Sequence, residues 1–239
     1  MRLIVTRPEP AAGKTAKKLR ALGHDVIISP VLEIVDSGLD MPAGVFSAIL
    51  VTSSNALRVM KSRGIDEILL QTPLYVAGDR TAEKARETGF ENVHSASGNA
   101  GNLVELLNDD ADLIGGGENP LLYVCGADAT SGFLEDLEKL GLQVISWINY
   151  KAILVDQLTH KSVELLISGN PVGVVLYSAR SARQFSQLLM AQIPTQHFDN
   201  IEFYSISENV KKALALPLQK QCLVANNPDE ASLFELIQV

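Results

Sequence analysis

The chain reads as an α/β protein built from two similar domains, and three observations carry that reading. Short β-branched apolar runs alternate with amphipathic helical patterns from one end to the other. Its 239 residues exceed one typical domain and suit two of about 100–130 residues each. Three kinds of strand–helix unit recur in the same order in both halves. A composition of 46% hydrophobic and 20% charged residues places the whole among globular rather than disordered chains.

The elements follow in order. Residues 3–6 form a compact apolar run. Residues 14–22 then repeat Ala16, Leu19 and Leu22 at helical spacing and stop at Gly23. A strand at 26–29 leads into an extended piece at 30–35 and a loop at 36–44. Strands are predicted at 48–51, 74–77, 122–124, 144–150, 174–177, 201–205 and 222–225. Helices are predicted at 54–63, 80–88, 102–107, 131–140, 158–167, 181–191, 208–214 and 229–237, and a glycine-rich loop at 115–120. Apolar runs of four or five residues between helices indicate parallel strands covered on both faces. The strand at 144–150 continues extended to 155, matching the character of 30–35. Two such segments are expected to pair and to carry the chain between domains.

Residues 3–26 resemble 122–144, residues 48–53 resemble 173–178, and residues 75–84 resemble 204–213, with slowly growing offsets. Shared order favours duplication of an α/β module over chance likeness.

Charge and composition exclude several functions. A net charge of −8 has the wrong sign for binding a phosphate backbone, and 5% aromatics leaves little for base stacking, so no nucleic-acid partner is expected. A small anion is still acceptable, because backbone N–H groups at helix starts bind anions without Lys or Arg. Cys125 and Cys222 sit in apolar runs, which points to a reducing compartment rather than a disulfide framework. Residues 1–8 lack the apolar core of a signal peptide, and no run approaches the roughly 18 apolar residues of a membrane span. The expected location is cytoplasmic, with no membrane partner. Dinucleotide, phosphate-loop and nucleophile-elbow motifs are missing, which disfavours a phosphate-utilising enzyme. The four histidines stand far apart and read as solvated or capping residues, not metal ligands. Asp109, Asp110 and Asp112 read as a solvated helix end.

What recurs is a small polar residue where a strand hands over to a helix: Thr6-Arg7-Pro8, Thr52-Ser53-Ser54-Asn55, Gly78-Asp79-Arg80-Thr81, Ser178-Ala179-Arg180-Ser181 and Ser205-Ile206-Ser207-Glu208-Asn209. Each is a competent N-cap, stabilising by about 1 kcal/mol. As a set they gather at the carboxyl edge of an open sheet, where helix N-termini present free N–H groups and partial positive charge. Two domains facing one another across such edges would form a cleft for a polycarboxylate or phosphate ligand.

The turns also carry a family resemblance. Val5-Thr6-Arg7-Pro8, Pro30-Val31-Leu32-Glu33-Ile34, Val51-Thr52-Ser53-Ser54-Asn55-Ala56, Gly78-Asp79-Arg80-Thr81-Ala82, Gly98-Asn99-Ala100, Tyr123-Val124-Cys125-Gly126, the run from Val144 to Tyr150, and Tyr177-Ser178-Ala179-Arg180-Ser181-Ala182 resemble uroporphyrinogen-III synthases in content and order over nearly the whole chain. The resemblance implies two flavodoxin-like domains, residues 1–35 with 154–239 and an inserted 36–153, joined by a two-stranded β connector with the ligand cleft between them. It implies a lyase that cyclises hydroxymethylbilane with loss of water and inverts the terminal pyrrole ring through a spiro intermediate. No metal and no organic cofactor are implied. The partners implied are a linear tetrapyrrole as small-molecule substrate and a transient contact with the preceding bilane-forming enzyme, the protein itself being a monomer.

By the same resemblance Tyr150 is the proton donor to the leaving hydroxyl. Thr81 and Gly78 belong to the Gly-x-x-Thr-Ala turn, and Ser53 and Ser178 bind acetate and propionate groups. Thr52 supplies a neighbouring turn contact and Arg7 a carboxylate partner. The last-third turn departs from the family pattern, reading Ile206-Ser207-Glu208-Asn209-Val210 without its glycine and threonine. Contacts there are expected from backbone N–H groups alone. The competing reading is a non-catalytic two-domain protein that binds a polycarboxylate; Tyr150 together with Thr81 discriminates, since a binder has no use for a phenol aimed at a leaving hydroxyl.

Overall fold

A computed structural model describes residues 1–114, 119–129 and 131–237. The glycine run at 115–118 and the side chain of Asp112 lie outside the described part. In chain order the elements are β1 (Arg2–Val5), α1 (Ala11–Ala21), β2 (Asp25–Ile28), β3 (Leu32–Asp36), β4 (Ile49–Val51), α2 (Ser54–Arg63), α3 (Glu67–Gln71), β5 (Leu74–Val76), α4 (Asp79–Thr88), β6 (Val93–Ser95), α5 (Ala100–Asp109), α6 (Ala111–Ile114), β7 (Leu121–Gly126), α7 (Ser131–Lys139) and β8 (Val144–Leu154). There follow α8 (His160–Ile167), β9 (Val172–Leu176), α9 (Ala179–Gln192), a 3-10 turn at Thr195–Asn200, β10 (Ile201–Ser205), α10 (Glu208–Lys212), α11 (Leu216–Gln219), β11 (Cys222–Val224) and α12 (Glu230–Ile237).

The chain forms two compact units, Met1–Glu33 with Ile153–Val239, and Ile34–Ala152. In the first unit a parallel sheet runs β11-β10-β9-β1-β2. Its central strand β9 is buried at every residue. Leu165, Phe185, Leu189 and Leu218 cover one face, while Ala12, Ala16, Leu19 and Leu233 cover the other. The second unit holds a sheet ordered β3-β8-β7-β4-β5-β6, parallel from β8 to β6. There β7 is buried throughout, with Leu57, Met60 and Ala85 on one side and Leu103, Phe133 and Leu137 on the other. Helices on both faces are why the strands read as unbroken apolar runs rather than alternating ones.

The internal repeat maps the two sheets onto one another. Pairing β1 with β7, β2 with β8, β9 with β4 and β10 with β5, as the sequence likeness requires, leaves β11 opposite β6. The order β2-β1-β9-β10-β11 then becomes β8-β7-β4-β5-β6. The spatial arrangement is conserved while the order along the chain is permuted.

The extended segments become β3 and β8, which are hydrogen-bonded neighbours. The Ser37 N–H donates to the Asn149 carbonyl at 3.0 Å and the Ser37 hydroxyl to Ile148 O at 2.6 Å. Arg63 fixes the end of β3: it donates to the Asp36 carboxylate and, through Nη1, to Leu39 O at 2.6 Å, with its guanidinium 5.5 Å from the Trp147 ring centroid. This hydrogen bond from Arg63 holds the Asp36 carboxyl down at about 2.

Several details depart from expectation. Helix α1 starts at Ala11, immediately after Pro10, because a proline ahead of the first turn lacks only an N–H that no intrahelical carbonyl would accept. The short elements β6, α3 and α11 are too brief to show a period. His94 is half-buried and stacks on Tyr75, with ring centroids 4.5 Å apart and an 8° interplanar angle, rather than facing only water. Asp110 likewise accepts from the Tyr75 hydroxyl at 3.0 Å instead of facing only water. Among the described residues no helix is long and apolar enough to cross a membrane.

The packing makes one residue diagnostic for the first unit. Phe185 is fully buried and meets Phe203 edge-on at 6.2 Å. Phe185→Ala is expected to cost about 3–5 kcal/mol of stability, measured as a lowered urea midpoint; a loss under 1 kcal/mol would show that this core collapses around the gap.

Candidate active site

Parallel strands send their chain onward at one edge, the carboxyl edge. Where the helices after two adjacent strands depart to opposite faces, a crevice opens between them. In the second unit that point lies between β4 and β7. Helix α2, after β4, packs on one face through Ala56, Leu57 and Met60, whereas α7, after β7, packs on the other through Phe133 and Leu137. A cavity of about 370 Å³ opens there, lined by residues that include Thr52, Asn55, Tyr123, Gly126, Asp128 and Tyr150.

Backbone register places Tyr150. Strand β8 pairs with β7 up to Cys125, the register slips, and Gly126 stands opposite Tyr150. The Ala127 N–H then donates to the Tyr150 carbonyl at 2.9 Å. The phenol ring lies directly over Gly126. A Cβ there would stand 2.6 Å from Cε2 and Cζ and 2.9 Å from the hydroxyl, so only glycine leaves room for the ring in this position. Burial pushes the Tyr150 phenol above its ordinary pKa, and the neighbouring Cys125 and Asp128 add to the rise while a hydrogen bond with Ser53 opposes it. At neutral pH the group therefore stays protonated and can donate.

The β4–α2 turn supplies hydroxyls. Ser53 is the N-cap of α2, its Oγ accepting from the Asn55 N–H at 3.3 Å. The capping role and the contact with Tyr150 coexist in one side chain. The Thr52 hydroxyl lies 3.3 Å from the Tyr123 hydroxyl. Burial raises the Tyr123 phenol too, Thr52 opposing and Cys125 and Tyr150 adding.

Gly78 and Thr81 sit one strand further along the same edge, after β5, and do not line the cavity. Gly78 is the N-cap of α4, where a Cβ would meet the Gly98 carbonyl at 3.0 Å. Thr81 is buried, its N–H donating to Gly78 O at 2.9 Å. Asp79 clamps this turn to the next loop, accepting from the Ser95 and Ser97 hydroxyls at 2.8 Å each; those bonds hold its carboxyl below the ordinary range.

Arg7 and Ser178 occupy the equivalent point of the first unit, between β1 and β9. Ser178 caps α9, accepting from the Ser181 N–H at 3.1 Å and donating to the Ser181 hydroxyl at 2.9 Å. Arg7 lies 4.2 Å over the Tyr177 ring, donates to Thr15 at 3.2 Å and stands 3.5 Å from the Glu230 carboxylate. Glu230 also accepts from Thr15 at 2.8 Å, from Tyr177 at 3.0 Å and from Lys18. Arg7 thus already holds a carboxylate supplied by its own chain. Thr6, at the head of its strand–helix turn, is buried and donates to Val175 O at 2.9 Å. Ser207 heads α10 without a side-chain capping bond.

The structure therefore brings Thr52 and Tyr150 to one cavity, with Ser53 in the adjoining turn, leaves Gly78 and Thr81 one strand away, and places Arg7 and Ser178 in the other unit. Two lining residues, Tyr123 and Gly126, received no role in the sequence reading. Their signal was present in the stretch Tyr123-Val124-Cys125-Gly126, but only the β7–β8 register reveals what they face. Among the described residues no group of His, Cys, Asp and Glu could hold a metal ion.

Comparison with known proteins places the chain. A family model described as uroporphyrinogen-III synthase HemD matches residues 13–235. The chain is similar, at 26% identity over 153 residues, to a protein of Ruminiclostridium josui named porphyrin biosynthesis protein HemD; the match covers 54% of this chain and 27% of that one. It spans about a quarter of the length of that curated relative. Its fold resembles that of a uroporphyrinogen-III synthetase from Helicobacter pylori 26695, with a TM-score of 0.62 and 18% identity over 99% of this chain and 98% of the other. With more than half of its residues matched by the family model, the chain belongs to the uroporphyrinogen-III synthase HemD family.

Proposed function

We propose that the protein is a uroporphyrinogen-III synthase, cyclising hydroxymethylbilane with loss of water and inversion of the terminal pyrrole ring, for haem and related tetrapyrrole synthesis. The observation that carries this reading is the Tyr150 phenol: neutral, half-buried, seated on Gly126 and facing a cavity beside the hydroxyl-bearing β4–α2 turn. The pyrrole rings supply the electrons for each bond made. Tyr150 protonates the hydroxyl of the hydroxymethyl group, which leaves as water and generates an azafulvene. The terminal ring attacks through its substituted carbon, and the spiro intermediate fragments and recloses with that ring reversed.

The rest of the chain holds the bilane so that the substituted carbon, not the free one, meets the azafulvene. Thr52, Ser53, Thr81 and Ser178, with the N–H groups of Gly78 and its neighbours, suit acetate and propionate carboxylates, because each sits where a helix begins. In the other unit Arg7 would serve as a carboxylate partner only by exchanging Glu230 for a substrate carboxylate. We infer further that the protein acts as a cytoplasmic monomer, receives the bilane by transient contact with the enzyme that forms it, and needs neither metal nor organic cofactor.

The decisive experiment generates hydroxymethylbilane in situ, adds the protein, oxidises the products and separates the type I and type III uroporphyrins. Spontaneous closure gives type I, so excess type III establishes ring inversion. Type I alone from folded protein would sink the enzyme reading and leave a polycarboxylate-binding protein.

Two substitutions probe Tyr150. Tyr150→Phe is expected to lower kcat by at least about tenfold while leaving uroporphyrinogen binding near wild type; equal turnover would remove the phenol from the mechanism. Gly126→Ala is expected to displace the ring and lower kcat about 10- to 100-fold without unfolding the protein. Wild-type kcat in that variant would show that the position of the ring is not critical.

A further inference from the structure

The cavity holds a second phenol. Tyr123 rises from β7, one strand from Tyr150, and its hydroxyl lies 3.3 Å from that of Thr52, while Ser53, the next residue of the same turn, opposes the rise in the Tyr150 pKa. Both phenols and Thr52 thus line the same cavity. The Tyr123 ring is fixed from the other side by Phe133, with centroids 4.9 Å apart. A tyrosine placed only to fill space would satisfy its hydroxyl away from the opening or leave it to solvent, and phenylalanine would serve as well. Tyr123 is 3% exposed, and its hydroxyl meets a threonine that itself lines the cavity.

We propose that Tyr123 is a second proton-transferring residue of this site, working in parallel with Tyr150. The inference rests on the function proposed above. In the water-loss step a phenol O–H bond breaks and its proton passes to the hydroxyl oxygen of the substrate. The carbon–oxygen bond then breaks with both electrons going to oxygen, water departs, and the pyrrole π-system fills the vacancy at carbon. The phenolate regains a proton when the ring carbon that finally closes the macrocycle loses its hydrogen, so the cycle balances without another reactant. Either phenol can perform the transfer, because a phenol with its ordinary pKa near 10 is protonated at neutral pH and burial only raises it. Thr52 acts here as a positioning residue, orienting the Tyr123 hydroxyl. With two donors the rate is a sum, and removing one leaves the other.

That arithmetic gives a test in four proteins: wild type, Tyr123→Phe, Tyr150→Phe and the double variant, each assayed for kcat and for the ratio of type III to type I product. Tyr123→Phe alone removes the smaller of the two summed contributions, so its kcat is expected to lie below wild type and well above that of Tyr150→Phe. In the Tyr150→Phe background the same change is expected to cost a further tenfold or more, with the product shifting to type I, since a sole general acid is worth about 10²–10⁴. A purely structural Tyr123 would cost the same factor in both backgrounds, and that result overturns the proposal. Matching thermal midpoints for Tyr150→Phe and the double variant keep a folding defect from imitating the coupling. If wild-type protein itself gives only type I, the synthase reading and this one fall together; type III from wild type with no coupling overturns only the role of Tyr123.

Discussion

The order in which parallel strands are laid down is the constraint on which the rest of this structure depends. A parallel sheet buries both faces, so each strand must be followed by a helix that crosses to one side or the other. Where neighbouring strands send their helices to opposite sides, neither helix can cover the gap, and the carboxyl edge stays open there. In one unit this happens between β1 and β9, in the other between β4 and β7. Arg7, Tyr177 and Ser178 stand at the first opening, and Thr52, Ser53 and Gly126 at the second. Topology thus opens the carboxyl edge at these two points, and Gly78 and Thr81 stand one strand from the second.

That geometry also explains why one residue can be cap and contact at once. A helix beginning at the open edge needs an oxygen for its unpaired N–H groups, and Ser53 and Ser178 provide it. The same oxygen then stands at the carboxyl edge, where the strand hands over to the helix. Structure and function are not rival readings of such a serine, since the cap holds its side chain in one rotamer. Gly126 makes the complementary point. Its value lies in the missing Cβ, which lets β8 lay a phenol across β7 at the register slip.

Fold class was legible because it rests on repetition: apolar runs of strand length, helical stripes, and the likeness of residues 48–53 to 173–178. That likeness survives as the correspondence of β4 with β9, each ending in a serine that caps the next helix. Elements of three to five residues, such as β6, were not legible, since they complete no period and owe their form to the strand beside them. Tyr150 could be singled out from the motif around it, whereas Tyr123 could not. Its position in an apolar run gives it the same signature as any core residue, and its importance comes from a hydroxyl partner 71 positions away in the chain. Arg7 illustrates the opposite limit. The turn containing it was evident, but Glu230, which meets its guanidinium, lies near the other end of the chain.

If a protein of net charge −8 is to bind a polyanion, it must do so by local means. Long-range attraction has the wrong sign, and solvent ions screen it within about 10 Å in any case. What remains are dipoles held in place: helix N-termini, threonine and serine hydroxyls, and neutral phenols whose pKa burial raises further. These donors are weaker than ammonium groups in water, but they lose no hydration shell and need little reordering when a carboxylate arrives. Arg7 shows why this matters. A free cation in a cleft attracts any carboxylate, including the chain's own, and here Glu230 has taken it. Oriented neutral donors discriminate by geometry instead of by charge. A reaction whose outcome turns on which of two ring carbons is presented needs discrimination of that kind.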